Sequence, residues 1–142
     1  MIRGTFDTAG ELDPVELRVA YDEVLTDTIE STGVSAATEQ TGIDSETLQE
    51  VVDGETPELS LEEATAVLAL AEDQPDADVL LAEARDILLM GMSSAVLDVE
   101  AIAAGIDDEL DPKEIQQKIE GRYPITLDEY ALLHAFIENS KR

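Results

Sequence analysis

A signal that stops one helix and starts the next occurs twice in this chain, in GETPELSLEEA at residues 54–64 and GRYPITLDEYA at residues 121–131. Each stretch holds a glycine, two residues, a proline and then Ser or Thr before leucine, an acid and glutamate. SLEE (Ser60 to Glu63) and TLDE (Thr126 to Glu129) have the form of capping boxes: the hydroxyl accepts the third helical amide and the glutamate returns to the cap amide. The pattern predicts helices over 61–72 and 127–139. Before each lies a short amphipathic stretch, ETLQEVVDG and KEIQQKIEG, whose final glycine suits the left-handed residue after a helix end. Pro57 and Pro124 bar further helix.

Working outward, Gly42 in TGID and Gly105 in AGIDD each follow a short alanine-bearing helix and precede an isoleucine expected to pack inward. Further back are two long amphipathic segments. The first opens at LDPVE, with Asp13 as cap, Pro14 in the first helical position and Glu16 closing the box. Its Leu17, Tyr21, Val24, Leu25, Thr28 and Ile29 recur at helical steps. The second starts near Asp76 and runs through Leu80, Ala84, Ile87 and Leu88 toward Val96, with Gly91 marking a break or a close helix crossing. The order long helix, short helix, glycine turn, short helix, proline, final helix thus occurs over 14–72 and again over 77–139. The spacings Gly42 to Gly105 (63 residues) and Leu61 to Leu127 (66 residues) are nearly equal, which implies an internal duplication. The expected fold is all-α, with two tandem four-helix units (13–73 and 76–140) packed into one compact domain behind a flexible segment, 1–12. Each unit of about 65 residues is small for an independent core, so the two should pack together.

VSAATEQTGIDSETLQEVVDGETPELSLEEATAVLAL resembles a helix-turn-helix of the phage-repressor type, through Gly42 at the turn, Ile43 after it, and Leu48 and Val51 as inward positions. Thr38 and Thr41 stand where that pattern has small or apolar residues. In the second unit Gly105, Ile106, Ile115 and Ile119 correspond, and DDELDP makes the turn about four residues longer. The whole chain, including LLMGMSSAVLD and KEIQQKIEGR, also resembles an uncharacterised haloarchaeal family of unknown function.

The helix-turn-helix resemblance implies DNA contact by the second short helix of a unit. In the first unit that helix offers Asp44, Ser45, Glu46, Thr47, Gln49 and Glu50, a face that repels phosphate. In the second it offers Lys113, Gln116, Gln117 and Lys118, with Arg122 following, and five of the eight basic residues lie in 113–142. Residues 113–122 are therefore the candidate contact for nucleic acid or a protein partner, with lysine suited to phosphate or guanine and glutamine to adenine.

Other chemistries find little footing. Cysteine is absent and His134 is the single histidine, which removes the usual zinc sets. Asp107, Asp108, Glu109 and Asp111 imitate a calcium loop, but the central glycine is missing and Lys118 stands in place of the twelfth-position glutamate. No metal or cofactor is expected. Acids are so widespread that no carboxylate pair marks a catalytic couple, and no glycine loop is built to cradle phosphate. Met90 and Met92 lie in the least charged stretch and suit either core or interface. No apolar run nears the roughly 20 residues of a membrane span, and no signal peptide is evident, so a cytoplasmic location is expected. The expected function is non-enzymatic: a regulatory or protein-interaction role, with sequence-specific DNA binding through the second unit as the alternative.

The charge sets the working conditions. There are 34 acidic and 8 basic residues, a formal net charge of −26. The acids divide evenly, 17 in residues 1–71 and 17 in 72–142, as expected of helical surfaces adapted to high salt, with a DNA mimic whose carboxylates imitate phosphates as the second reading. At about 1 M salt the Debye length is only about 3 Å, against about 10 Å at 0.1 M. Lowering salt from about 3 M to 0.1 M should therefore unmask carboxylate repulsion and lower the melting temperature followed by circular dichroism. A melting temperature that holds across that series would remove the support for salt adaptation.

Overall fold

The computed structural model describes residues 11–141 and contains eight α-helices among them, with no strand longer than an isolated bridge. They are α1 Pro14–Thr32, α2 Val34–Thr41, α3 Ser45–Val52, α4 Leu61–Leu68, α5 Ala77–Ala95, α6 Val99–Gly105, α7 Pro112–Ile119 and α8 Leu127–Asn139. The all-helical fold expected from the sequence is observed, and the order long, short, short, final occurs twice. Most of the segment expected to be flexible, residues 1–10 of 1–12, lies outside the described residues; Leu12 packs against the core.

The three expected capping boxes form, and Asp111 adds a fourth that the sequence reading did not single out. Asp13, Ser60, Asp111 and Thr126 each accept the third helical amide, and Glu16, Glu63, Glu114 and Glu129 return to the cap amides. Such caps satisfy donors that a helix start leaves open. Leu61 and Leu127, the first residues of α4 and α8, meet that need differently. Leu61 N–H donates to the Ile125 carbonyl at 2.8 Å, and Leu127 N–H donates to the Leu59 carbonyl at 2.7 Å. Ser60 and Thr126 thereby form an antiparallel bridge between corresponding places in the two halves.

Around this bridge the long and final helices interleave. α1 packs on α8 and α4, and α5 packs on α4 and α8. Each long helix thus touches the final helix of both halves. The short pairs α2–α3 and α6–α7 flank this centre, with α3 against α1 and α7 against α5. One apolar cluster runs through both halves, from Leu17, Leu25 and Leu48 to Leu88, Ile115 and Leu133.

Two local expectations change, and at Gly91 one of two expected outcomes is realised. α4 stops at Leu68 rather than residue 72: Leu70 N–H turns to the Val67 carbonyl, Ala71 to Leu68 and Gln74 to Ala71, tightening the chain ahead of Pro75. Gly105 is the last residue of α6, not the turn residue. The left-handed turn positions are Asp107 and Asp108, at φ 57° and 59°, while Gly42 does take the left-handed role at the first turn. What Gly105 provides is room, since a Cβ there would lie 2.1 Å from the Phe136 ring. Gly91 does not break α5, which continues to Ala95. It marks a close crossing, because an added Cβ would stand 2.6 Å from Ile137 Cγ2, on a side chain with no exposed surface.

Gly91→Ala sets two effects against each other. Alanine favours a helix interior by about 1 kcal/mol over glycine, whereas overfilling a packed crossing costs about 1–3 kcal/mol. Net destabilisation is expected in denaturant unfolding at fixed salt. A stabilised variant would show that α5 and α8 do not cross as closely as described.

Candidate functional site

α7 is built to show one polar face. Asp111 and Pro112 start it, Ile115 and Ile119 are buried, and Lys113, Gln116, Gln117 and Lys118 lie off that buried stripe. The structure brings the five candidate residues into one strip but engages three of them with nearby acids. Lys118 is largely covered, and its ammonium pairs with Glu129 Oε2. Gln116 Nε2 donates to Glu120 Oε2 at 3.2 Å, and Arg122 Nε pairs with Glu120 Oε1 at 3.2 Å. Gln117 is half-buried. Lys113 is exposed and makes no ion pair among the described residues. The cations Lys113, Lys118 and Arg122 are matched in number by Glu114, Glu120 and Glu129. The strip therefore presents little net positive field.

Glu129 links this strip to the cap of α8. Its Oε1 accepts the Thr126 amide at 2.9 Å while Oε2 holds Lys118. Burial alone raises its carboxyl pKa, but the Lys118 and Thr126 hydrogen bonds outweigh it and hold the group below the ordinary glutamate value. On the other side of Glu129 a groove opens between α1 and α8. Its lining includes Val15 and Val19 of α1, Leu132 of α8, buried Leu110, and the acids Asp128 and Glu109.

Arg18 lies at the base of this groove, 3% exposed. Its Nε donates to Asp22 Oδ1 at 3.0 Å, one terminal nitrogen to Asp128 Oδ1 at 2.8 Å and the other to the Pro57 carbonyl at 2.9 Å. One guanidinium thus ties α1, the proline loop and α8 together. Burial pushes the Asp22 carboxyl up, opposed by the hydrogen bond and charge of Arg18. Sequence reasoning did not single out Arg18. The available signal was that it is the sole cation between residues 4 and 84, four residues before an aspartate and next to inward Leu17.

His134 is not at the surface. It is 3% exposed, with Tyr21 Oη 2.7 Å from Nδ1 and the Tyr21 and Tyr130 rings against it. Tyr130 donates its own hydroxyl to the Ala84 carbonyl at 2.8 Å. Burial, then the neighbouring Tyr130 and Glu138, raises the Tyr21 pKa well above its usual value. The hydrogen bond joins the phenol and the imidazole inside the core. The acidic loop does not converge on a cation either: Asp111 caps α7, Asp107 and Asp108 are exposed, and no three metal-ligating side chains cluster among the described residues. Of the methionines in the weakly charged stretch, Met90 is exposed and Met92 packs partly on the core.

The chain belongs to a family of unknown function (DUF5791), whose profile matches residues 17–140. No curated protein and no solved structure matches it. No single helix among the described residues is long and apolar enough to cross a membrane.

Burial lowers the His134 pKa from 6.5 to about 4, with the charge of Glu138 opposing it. The unfolded chain therefore takes up this proton at higher pH than the folded one. The contribution of neutral His134 is full above pH 6.5 and is lost as pH falls toward 4, by about 3 kcal/mol in total. Over that window wild-type stability should decline more steeply than that of His134→Gln, which cannot titrate. Parallel stability–pH curves would contradict the buried neutral imidazole.

Proposed function

We propose that this DUF5791 member is a non-enzymatic regulatory or protein-interaction module adapted to high salt, built from two helix-turn-helix-like units. The carrying observation is how the acids meet the cations of the 113–122 strip: Lys118 is covered and paired with Glu129, and exposed Arg122 lies beside Glu120. Phosphate contact by lysine and arginine dominates nucleic-acid affinity, and α3 offers no cation at all. Meanwhile aliphatic side chains stand open on α1 beside that strip.

The recurring helix order and the reciprocal bridge at Ser60 and Thr126 support an internal duplication. The even spread of acids supports a haloarchaeal setting and a cytoplasmic location. The burial of His134, the sole imidazole, supports a non-enzymatic role, since no substrate can reach it there. Sequence-specific DNA binding through the second unit is the second reading, and it rests on exposed Lys113 and Gln116 in one strip.

Selection from random-sequence DNA in molar potassium salt separates the two. No enriched motif and no retention are expected. A reproducible motif, lost when Lys113, Lys118 and Arg122 are all changed to glutamate, would replace the interaction reading with a DNA-binding one. Gln116→Ala and Gln117→Ala would then relax the preference by about 1–3 kcal/mol for each lost bidentate pair.

A further inference from the structure

We propose that the groove between α1 and α8 docks a helical segment of a partner protein, one with an apolar face flanked by lysine or arginine; this rests on the protein-interaction reading above. The first support is the face of α1 left over after the core is filled. Leu17, Tyr21, Leu25 and Ile29 are buried and complete the inward stripe of that helix. Val15 and Val19 are nonetheless 74% and 47% exposed. They stand four residues apart, so they form a short ridge on one side of the helix. Half-buried Leu132 of α8 and Leu110, buried at the end of the connection to α7, also line the groove. An incoming helix reads such a surface with anchors at one-turn spacing.

Charge then selects the occupant. Asp128 gives one oxygen to Arg18, yet its side chain stays 66% exposed. Exposed Glu109 lines the same groove. Among the described residues the only cation lining the groove is Arg18, already held by three acceptors. A second copy of this acidic chain would bring like charges onto the rim, whereas a cation-flanked helix would pair with them. In molar salt only charges in near contact count, so burial of the valines supplies the attraction and the rim acids supply the choice of partner.

The test follows methyl resonances of the full chain by NMR in about 2 M potassium chloride, where long-range attraction is screened. The probe is a synthetic amphipathic helix with leucines on one face and lysines at its flanks. A matching peptide with glutamates is the control. Val15, Val19, Leu110 and Leu132 methyls should shift with the lysine peptide and stay still with the glutamate peptide. Val15→Thr combined with Val19→Thr, nearly isosteric and outside the core, should weaken binding by about tenfold or more with an unchanged melting temperature.

Several results would overturn the groove. Shifts centred on Leu89, Met90 and Val96 would move the site to α5. Shifts produced by raising protein concentration alone would identify a second copy. Binding that emerges only after deletion of residues 1–10 would assign the groove to the chain's own amino-terminal segment. Failure of the peptide, with no DNA motif selected, removes the groove and leaves the interaction reading standing. A selected DNA motif removes that reading whatever the peptide does.

Discussion

Two backbone hydrogen bonds decide how the molecule is put together. The amides of Leu61 and Leu127 open α4 and α8, and each finds its acceptor in the other half, at Ile125 and Leu59. A first-turn amide has no partner inside its own helix, and leaving one buried and unpaired costs about 1–3 kcal/mol. Each half therefore completes a helix start in the other. With the two starts held back to back, α1 and α5 can each lie across both final helices. The shared core is the result, and neither unit owns it.

Arg18 applies the same logic with a side chain. Its guanidinium reaches Asp22 on its own helix, Asp128 at the start of α8 and the Pro57 carbonyl beside the bridge. Removing Asp22 would strand the buried guanidinium, which is costlier than losing a surface pair. Lys118 fixes α7 to the cap of α8 in a similar way. In a chain with only eight cations, both are committed to architecture. The surface left over is correspondingly acidic.

Much of the frame was legible because capping chemistry is local. Asp13–Glu16, Ser60–Glu63 and Thr126–Glu129 each declare a helix start within four residues, and the structure forms all three boxes. Thr41 stood out as an odd turn residue, and its hydroxyl bonds the Ala37 carbonyl and receives the Ile43 amide. Tertiary approach was not legible in the same way. Gly105 looked like a turn because its sequence neighbours matched those of Gly42, but the atom that forbids a Cβ belongs to Phe136, 31 residues away. The candidate strip shows the same limit. Lys113, Gln116, Gln117, Lys118 and Arg122 were visible as a basic helix. That Glu129 and Glu120 would reach back and engage three of them depends on where α8 and the end of α7 come to rest.

The groove on α1 also breaks the resemblance between the halves. Val15 and Val19 come two and six residues after the cap Asp13; at the same distances after the cap Asp76 stand Asp78 and Ala82, both exposed. The second long helix thus offers an acid and a methyl group where the first offers two branched side chains. A helix order that occurs twice thus carries this pair of exposed valines on one side only. The docking proposed above would accordingly be monovalent: a monomer would occupy or cap one partner helix and would not bridge two of the same kind into a chain.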